Sequence, residues 1–284
     1  MTRLSLLASL LLTATPALAE VPRVVTDIAP VHSLVAQVMG ALGEPNLLVD
    51  PAASPHGYAL KPSQAAALSR ADLVIWMGAP LTPWLEAPLQ TLAPQAQKIS
   101  LLQVQDTLTY GYRDAVTFAD HDDHDDHDDH DDHDPEENNA EHHDGEHAHD
   151  HQGLDPHAWL DPENARIWLN HIADQLAAAD PENEARYRAN ATAAENGIAA
   201  LSTSIRQQLA PLQARPFAVF HDAYQYFEHR YELNNRGAIA ASDAAAPSPA
   251  RIVSLRAAIG DHDIRCIFSE PQFNTGLVDT VFEG

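Results

Sequence analysis

From Arg23 onward the chain repeats one unit: a short β-branched apolar run, a turn, then a segment of helical period. RVVTDIAP leads into VHSLVAQVMG, and DLVIWMG is flanked by the helical patterns SQAAALSRA and TPWLEAPLQTL. Beyond Pro211 the alternation resumes with PFAVF, AYQYFEHRYEL, GAIAAS, SPARIVSLRAAIG and RCIFSE. Apolar strands alternating with helices close on themselves as α/β units around a largely parallel sheet. Ser248 ahead of Pro249 supplies an N-cap and a first-turn proline for one of these helices.

Between the two series lies ENARIWLNHIADQLAAA, after which Asp180 and Pro181 restart a helix as N-cap and first residue. Its pattern runs about 29 residues, which at ~1.5 Å each is ~44 Å, longer than one small lobe needs. The expectation is therefore two α/β lobes, each a mostly parallel sheet flanked by helices, joined by one long rigid helix. The expected boundaries are 20–180 for the first lobe, 181–210 for the linking helix and 211–284 for the second lobe. The last helical pattern, NTGLVDTVFEG, has barely begun when the sequence stops, so the second lobe is expected to be incomplete.

Residues 1–19, with Arg3, an apolar run from Leu4 to Leu12 and Ala17-Leu18-Ala19, have the layout of a secretory signal peptide. That run is too short to span a bilayer, and no later stretch approaches 18 uninterrupted apolar residues. The expected product is exported, with no direct insertion into the membrane. A formal charge of −25 offers no basic surface for displacing counterions from phosphates, which argues against a nucleic-acid partner. Most of the excess is local, because residues 120–151 hold 16 acidic side chains, no Lys or Arg, and 10 of the 17 His. In that tract His121, His124, His127, His130 and His133 recur every third residue. Like charges at such density repel and almost nothing apolar is available to bury, so 119–152 is expected to be a disordered loop in the absence of metal. His among carboxylates also offers many weak, overlapping zinc sites, which makes the tract a candidate low-affinity collector or sensor.

Outside the tract, His56 in SPHGYALKPS, His157 in LDPHAWLDP and His221 at the end of PFAVF all sit in loops flanking helices. Open α/β sheets bind ligands at the carboxyl ends of their strands. Three neutral imidazoles with one carboxylate or water complete a four-coordinate Zn2+ site at about 2.0–2.1 Å per Zn–N bond. Asp161 is placed to orient an imidazole or to cap the helix ahead of Pro162, and Glu270, ending RCIFSE, to lend charge to the site or to cap the next helix. Cys266, the only cysteine, reads either as a buried free thiol on a strand or as half of a pair whose partner lies past Gly284.

SPHGYALKPSQAAALSRADLVIWMG, DPHAWLDPENA, VFHDAYQYFE, SEPQF and the acidic His-rich insertion, in this order, resemble the metal-binding solute receptors of bacterial ABC importers (cluster A-I). Within them the likeness is greatest to zinc-specific ZnuA-type periplasmic proteins. The resemblance implies a monomeric, two-lobed periplasmic receptor that performs no catalysis, holds Zn2+ between its lobes and delivers it to a membrane permease. It places His56, His157 and His221 as the three imidazole ligands, and His rather than a carboxylate at 221 favours zinc over manganese or iron. It further implies an aspartate as fourth ligand and a second cysteine, both in a segment past Gly284. Two other readings of the residues are an exported zinc hydrolase, although no HExxH is present, and a zinc buffer or metallochaperone in which the tract does the binding.

Overall fold

The computed structural model describes residues 20–51, 53–113, 117–118, 153–240, 247–271, 273 and 276–282. The expected signal peptide and the body of the His-rich tract lie outside them. The first lobe opens with β1 (Val24–Thr26), α1 (Ala29–Met39), β2 (Asn46–Leu47), α2 (Pro62–Leu68), β3 (Leu73–Trp76), α3 (Glu86–Thr91) and β4 (Gln97–Ser100). Its four strands pair in the order β2-β1-β3-β4, every pair parallel. Central strands β1 and β3 are buried along their whole length, as their continuous apolar sequences require. Past the tract come α4 (Pro162–Ala179) and α5 (Glu184–Leu209). α1, α4 and α5 cover one face of the sheet around Trp168, Leu169, Ile172 and Tyr187, whereas α2 and α3 cover the other around Leu68, Leu85 and Leu89.

The second lobe contains β5 (Phe217–His221), α6 (Gln225–Tyr231), β6 (Asn235–Ala240), α7 (Pro249–Asp261), β7 (Ile267–Phe268) and α8 (Gly276–Phe282). Its strands run parallel in the order β6-β5-β7. Along β5, Ala218 and Phe220 face a core shared with Leu255 of α7 and Val281 of α8. The two-residue alternation leaves Phe217 and Val219 on the opposite face. Ser248 caps α7, its Oγ accepting from Arg251 N at 3.2 Å.

α5 spans ~39 Å at ~1.5 Å per residue. It is more than a strut. Tyr187, Ala191 and Ala194 of its amino-terminal half belong to the first lobe's core, and Asn190 Nδ2 donates to Val38 O at 2.9 Å. Gly40, at φ 55°, ends α1 so close to α5 that a Cβ there would lie 2.6 Å from Asn190 Nδ2. Near its other end, Ser202 Oγ accepts from the Tyr231 hydroxyl at 3.1 Å and Arg206 lies over the Tyr231 ring. The helix thus reaches α6 in the second lobe.

Three expectations change in detail. Asp180 does not cap α5 with its side chain: Pro181–Asn183 form a 3-10 turn, and Asp180 Oδ2 accepts from Asn183 Nδ2 and the Tyr187 hydroxyl instead. α6 begins at Gln225 because Ala223 N turns back to His221 O. Cys266 is exposed rather than buried, since β7 is an edge strand of only two residues and leaves Phe268 56% exposed as well.

Candidate metal centre

His56 lies in the loop between β2 and α2. That loop is pinned from the first lobe: Trp84 Nε1 donates to Pro55 O at 2.7 Å, Ser54 Oγ accepts from His56 N at 3.2 Å, and the Tyr58 ring packs on Trp84. His157 precedes the short 3-10 turn Ala158–Leu160 that leads into α4, and its side chain is buried. His221 is the last residue of β5, at the carboxyl edge of the second sheet, and is also buried. The ring centroids are 5.5 Å apart for His56 and His157, 6.4 Å for His56 and His221, and 5.0 Å for His157 and His221. One nitrogen of each ring lies within 4.8 Å of the others, and among the described residues this is the one cluster of such groups that can hold a metal ion.

The second nitrogens determine how the cluster presents itself. His157 Nδ1 donates to Asp155 Oδ1 at 2.6 Å, and His221 Nδ1 donates to Glu270 Oε1 at 2.9 Å. A carboxylate facing Nδ1 makes that nitrogen the N–H and places the lone pair on Nε2, the nitrogen that can ligate a cation. Burial pushes the Asp155 carboxyl up to about 6, against the hydrogen bond from His157 N, so it remains ionised at neutral pH. The two Nε2 atoms are 3.3 Å apart. Two nitrogens bound to one tetrahedral zinc at ~2.05 Å are separated by about 3.3 Å, so this spacing is that of a coordination edge.

Glu270 therefore borders the three-imidazole cluster, with one oxygen on the His221 ring. The Tyr224 hydroxyl beside it is pushed upward, mainly by burial and then by the Glu270 charge. Asp161 does not orient an imidazole. Its Oδ1 accepts from Glu163 N at 2.9 Å as the α4 N-cap, and both oxygens take the Arg230 guanidinium, at 2.7 and 2.6 Å. The residue that orients His157 is Asp155, which the sequence reading passed over. The Asp-Pro-His tripeptide carried a usable signal, because the carboxylate of an Asp two residues before a backbone N–H can accept from it in an Asx-turn, and Asp155 Oδ1 accepts from His157 N at 3.0 Å.

Tyr226 was missed as well. Its ring is fully buried in the first lobe's core although it belongs to α6, and its hydroxyl accepts from Tyr110 N at 2.9 Å and donates to Asp155 O at 2.7 Å. One side chain of the second lobe thus holds the backbone of the residue that orients a first-lobe imidazole. His32, His171 and His229 lie elsewhere, bonded to Pro45 O, set beside Gln175 and stacked on Tyr110 respectively.

A profile of the family described as "Zinc-uptake complex component A periplasmic" matches residues 24–284. The chain belongs to the ZnuA family. The high-affinity zinc uptake system protein ZnuA of Paracoccus denitrificans is 44% identical over 281 residues, covering 99% of this chain and 86% of that protein. The protein of the same name from Brucella abortus is 39% identical over 274 residues, covering 92% and 80%. Among solved structures, a crystal structure of ZnuA superposes with a TM-score of 0.71 at 23% identity, covering 92% of this chain and 86% of that one. The zinc-bound AdcA of Streptococcus pneumoniae gives 0.65 at 22%, covering 92% and 49%. At such identities the structural likeness carries the fold: two parallel-sheet lobes and a long helix, as found here.

Proposed function

We propose that this chain is a periplasmic receptor that captures Zn2+ between its lobes on His56, His157 and His221 and passes it to the membrane permease of an ABC importer. The observation that carries the reading is the pair of Nε2 atoms 3.3 Å apart, each in a ring whose Nδ1 is committed to a carboxylate. Two lone pairs directed at each other repel unless a cation lies between them. His56 supplies a third imidazole, and borderline-soft nitrogen donors suit zinc better than calcium or magnesium. Asp155 and Glu270 place two carboxylates beside a divalent ion, so the loaded centre is close to neutral.

The reading gives the protein no reaction to perform. Among the described residues, the carboxylates of Asp155 and Glu270 beside the cluster accept from imidazole N–H groups, an orienting role rather than that of a hydrolase's general base. The family's description as periplasmic and the signal-peptide layout support export to the periplasm, the receptor is proposed to act as a monomer, and no helix among the described residues is long and apolar enough to cross a membrane. The tract serves as an auxiliary low-affinity collector, distinct from the three-imidazole centre.

Zinc titration of His56→Ala, His157→Ala and His221→Ala tests the assignment. Each is expected to weaken binding, and wild-type affinity in all three overturns it. Deleting residues 120–151 separates receptor from buffer: the receptor keeps its tight site, while a buffer built on the tract loses it.

A further inference from the structure

His157 and His221 approach the ion from different lobes, so their separation is only as well defined as the joint between the lobes. Arg113 sits at that joint. Its backbone belongs to a first-lobe segment that pairs with the stretch running into Asp155 and His157: Tyr112 N donates to Gly153 O at 3.1 Å, and Asp155 N to Tyr110 O at 2.9 Å. Its guanidinium crosses to the second lobe. Nε donates to Asp222 Oδ2 at 3.1 Å, Nη2 donates to Asp222 Oδ1, and Nη1 donates to Glu228 Oε2 at 2.6 Å. Asp222 is the residue that follows His221. Glu228 is held in turn by Asn235 Nδ2 at 2.6 Å, and the Phe118 ring covers the guanidinium 3.7 Å from Cζ.

Both carboxylates have only 6% of their side chains exposed and the guanidinium 17%, so solvent screens these bonds weakly. Burial alone pushes the Arg113 pKa down, but the hydrogen bonds it donates to Asp222 and Glu228 outweigh that and hold the group firmly charged. A planar guanidinium gripping one carboxylate through two nitrogens fixes direction as well as distance. Other cross-lobe contacts act elsewhere, among them Tyr226 on the backbone of Asp155, Arg230 on Asp161, His229 stacked on Tyr110, and Phe118 N donating to Arg236 O at 3.1 Å.

We propose that Arg113 is a positioning residue for the zinc centre: by tying the segment that leads to His157 to the residue beside His221, it sets the spacing of the two Nε2 ligands. The proposal rests on the three-imidazole reading. Loss of the fork lets the His157 and His221 edge widen, which weakens zinc and distorts its geometry.

The test uses the full chain, with zinc affinity from competition against a chromophoric chelator and ligand geometry from the visible absorption of the Co2+-loaded protein. Arg113→Gln is expected to lower zinc affinity by about 10–100-fold and to change the Co2+ spectrum, the range typical of outer partners of metal ligands. Arg113→Lys keeps the charge without the fork and is expected to recover the fold but only part of the affinity. Because Arg113→Gln leaves two buried carboxylates uncompensated, a charge-free set, Arg113→Met with Asp222→Asn and Glu228→Gln, removes the bonds without that penalty. Wild-type affinity and spectrum in this set overturn the proposal, and so does the same result in Arg113→Lys should the others fail to fold. His157→Ala is run alongside: if it also binds zinc normally, the three-imidazole reading fails, whereas if it alone loses zinc, only the role of Arg113 is lost.

Discussion

His157 Nε2 lies 3.3 Å from His221 Nε2 although 64 residues separate them and they belong to different lobes. Both rings are turned by carboxylates, so the contact is an arranged one rather than a chance approach of two side chains.

On the proposed three-imidazole centre, removing either ring removes one edge of the coordination sphere. Structural zinc sites are worth ~10–16 kcal/mol over four ligands, on the order of 3 kcal/mol each, so His157→Ala and His221→Ala are each expected to weaken zinc by ~100-fold or more. Chelator competition at fixed pH measures it. An effect of less than about threefold in both variants is incompatible with shared coordination.

Asp155→Asn and Glu270→Gln probe the carboxylates without changing volume. An amide is a weaker acceptor than a carboxylate and can present its NH2 to the ring, which favours the wrong tautomer. Each is expected to cost about 10–100-fold in zinc affinity. Nitrogen-15 chemical shifts of the imidazoles provide the check, since the expected result is a loss of the Nδ1–H form at His157 or His221.

Asp161 is expected to matter for folding and little for metal. It caps α4 and grips Arg230, and its side chain is 1% exposed while that of Arg230 is 26% exposed. Asp161→Ala removes both interactions, so a loss of about 2–3 kcal/mol is expected in urea unfolding of the metal-free protein. Zinc affinity is expected to remain within about threefold of wild type, a difference under ~0.7 kcal/mol. A large selective loss of zinc binding would restore the role as an imidazole orienter.

Asp27 gives the fold a pH dependence of defined sign. It is fully buried where β1 ends, with Oδ1 accepting from Ile28 N and Oδ2 from Met77 N, both at 2.8 Å. Burial pushes its carboxyl up from 3.8 to about 6 in spite of those bonds. A raised acid binds protons more tightly folded than unfolded, so its contribution is most favourable below pH ~4 and is lost as pH rises through 6. The stability of the wild type relative to Asp27→Asn is expected to fall by about 2 kcal/mol between pH 4 and 7. Urea unfolding of both proteins across that range measures the difference, and a flat difference would contradict it.

Trp84→Phe tests how the third imidazole is held. The indole N–H bond to Pro55 O fixes the peptide before His56, while the ring also packs against Tyr58. Phe keeps most of the packing and removes the bond, at a cost of roughly 1 kcal/mol or about fivefold in zinc affinity. Faster zinc release in stopped-flow with excess chelator is the expected signature.

Much of this protein could be read along the chain because the forces that decide it are local. Continuous apolar runs made β1 and β3, helical period made α4 and α5, Ser248 capped α7, and the three imidazoles stood out by type and by their places beside helices. Local chemistry failed where several partners competed for one side chain. Asp155 and Asp161 flank His157 at comparable range, and only the actual turn, with Ala158–Leu160 wound as a 3-10 helix and Arg230 arriving from α6, gives the ring to the first and the guanidinium to the second. Cys266 looked buried because its neighbours are apolar, yet a strand's exposure depends on what lies beside it, and β7 is at an edge. Glu270 and His221 are 49 residues apart, Arg113 and Asp222 109. Hydrogen bonds reach about 3 Å, and no periodicity of one chain records which distant groups packing will bring within that reach.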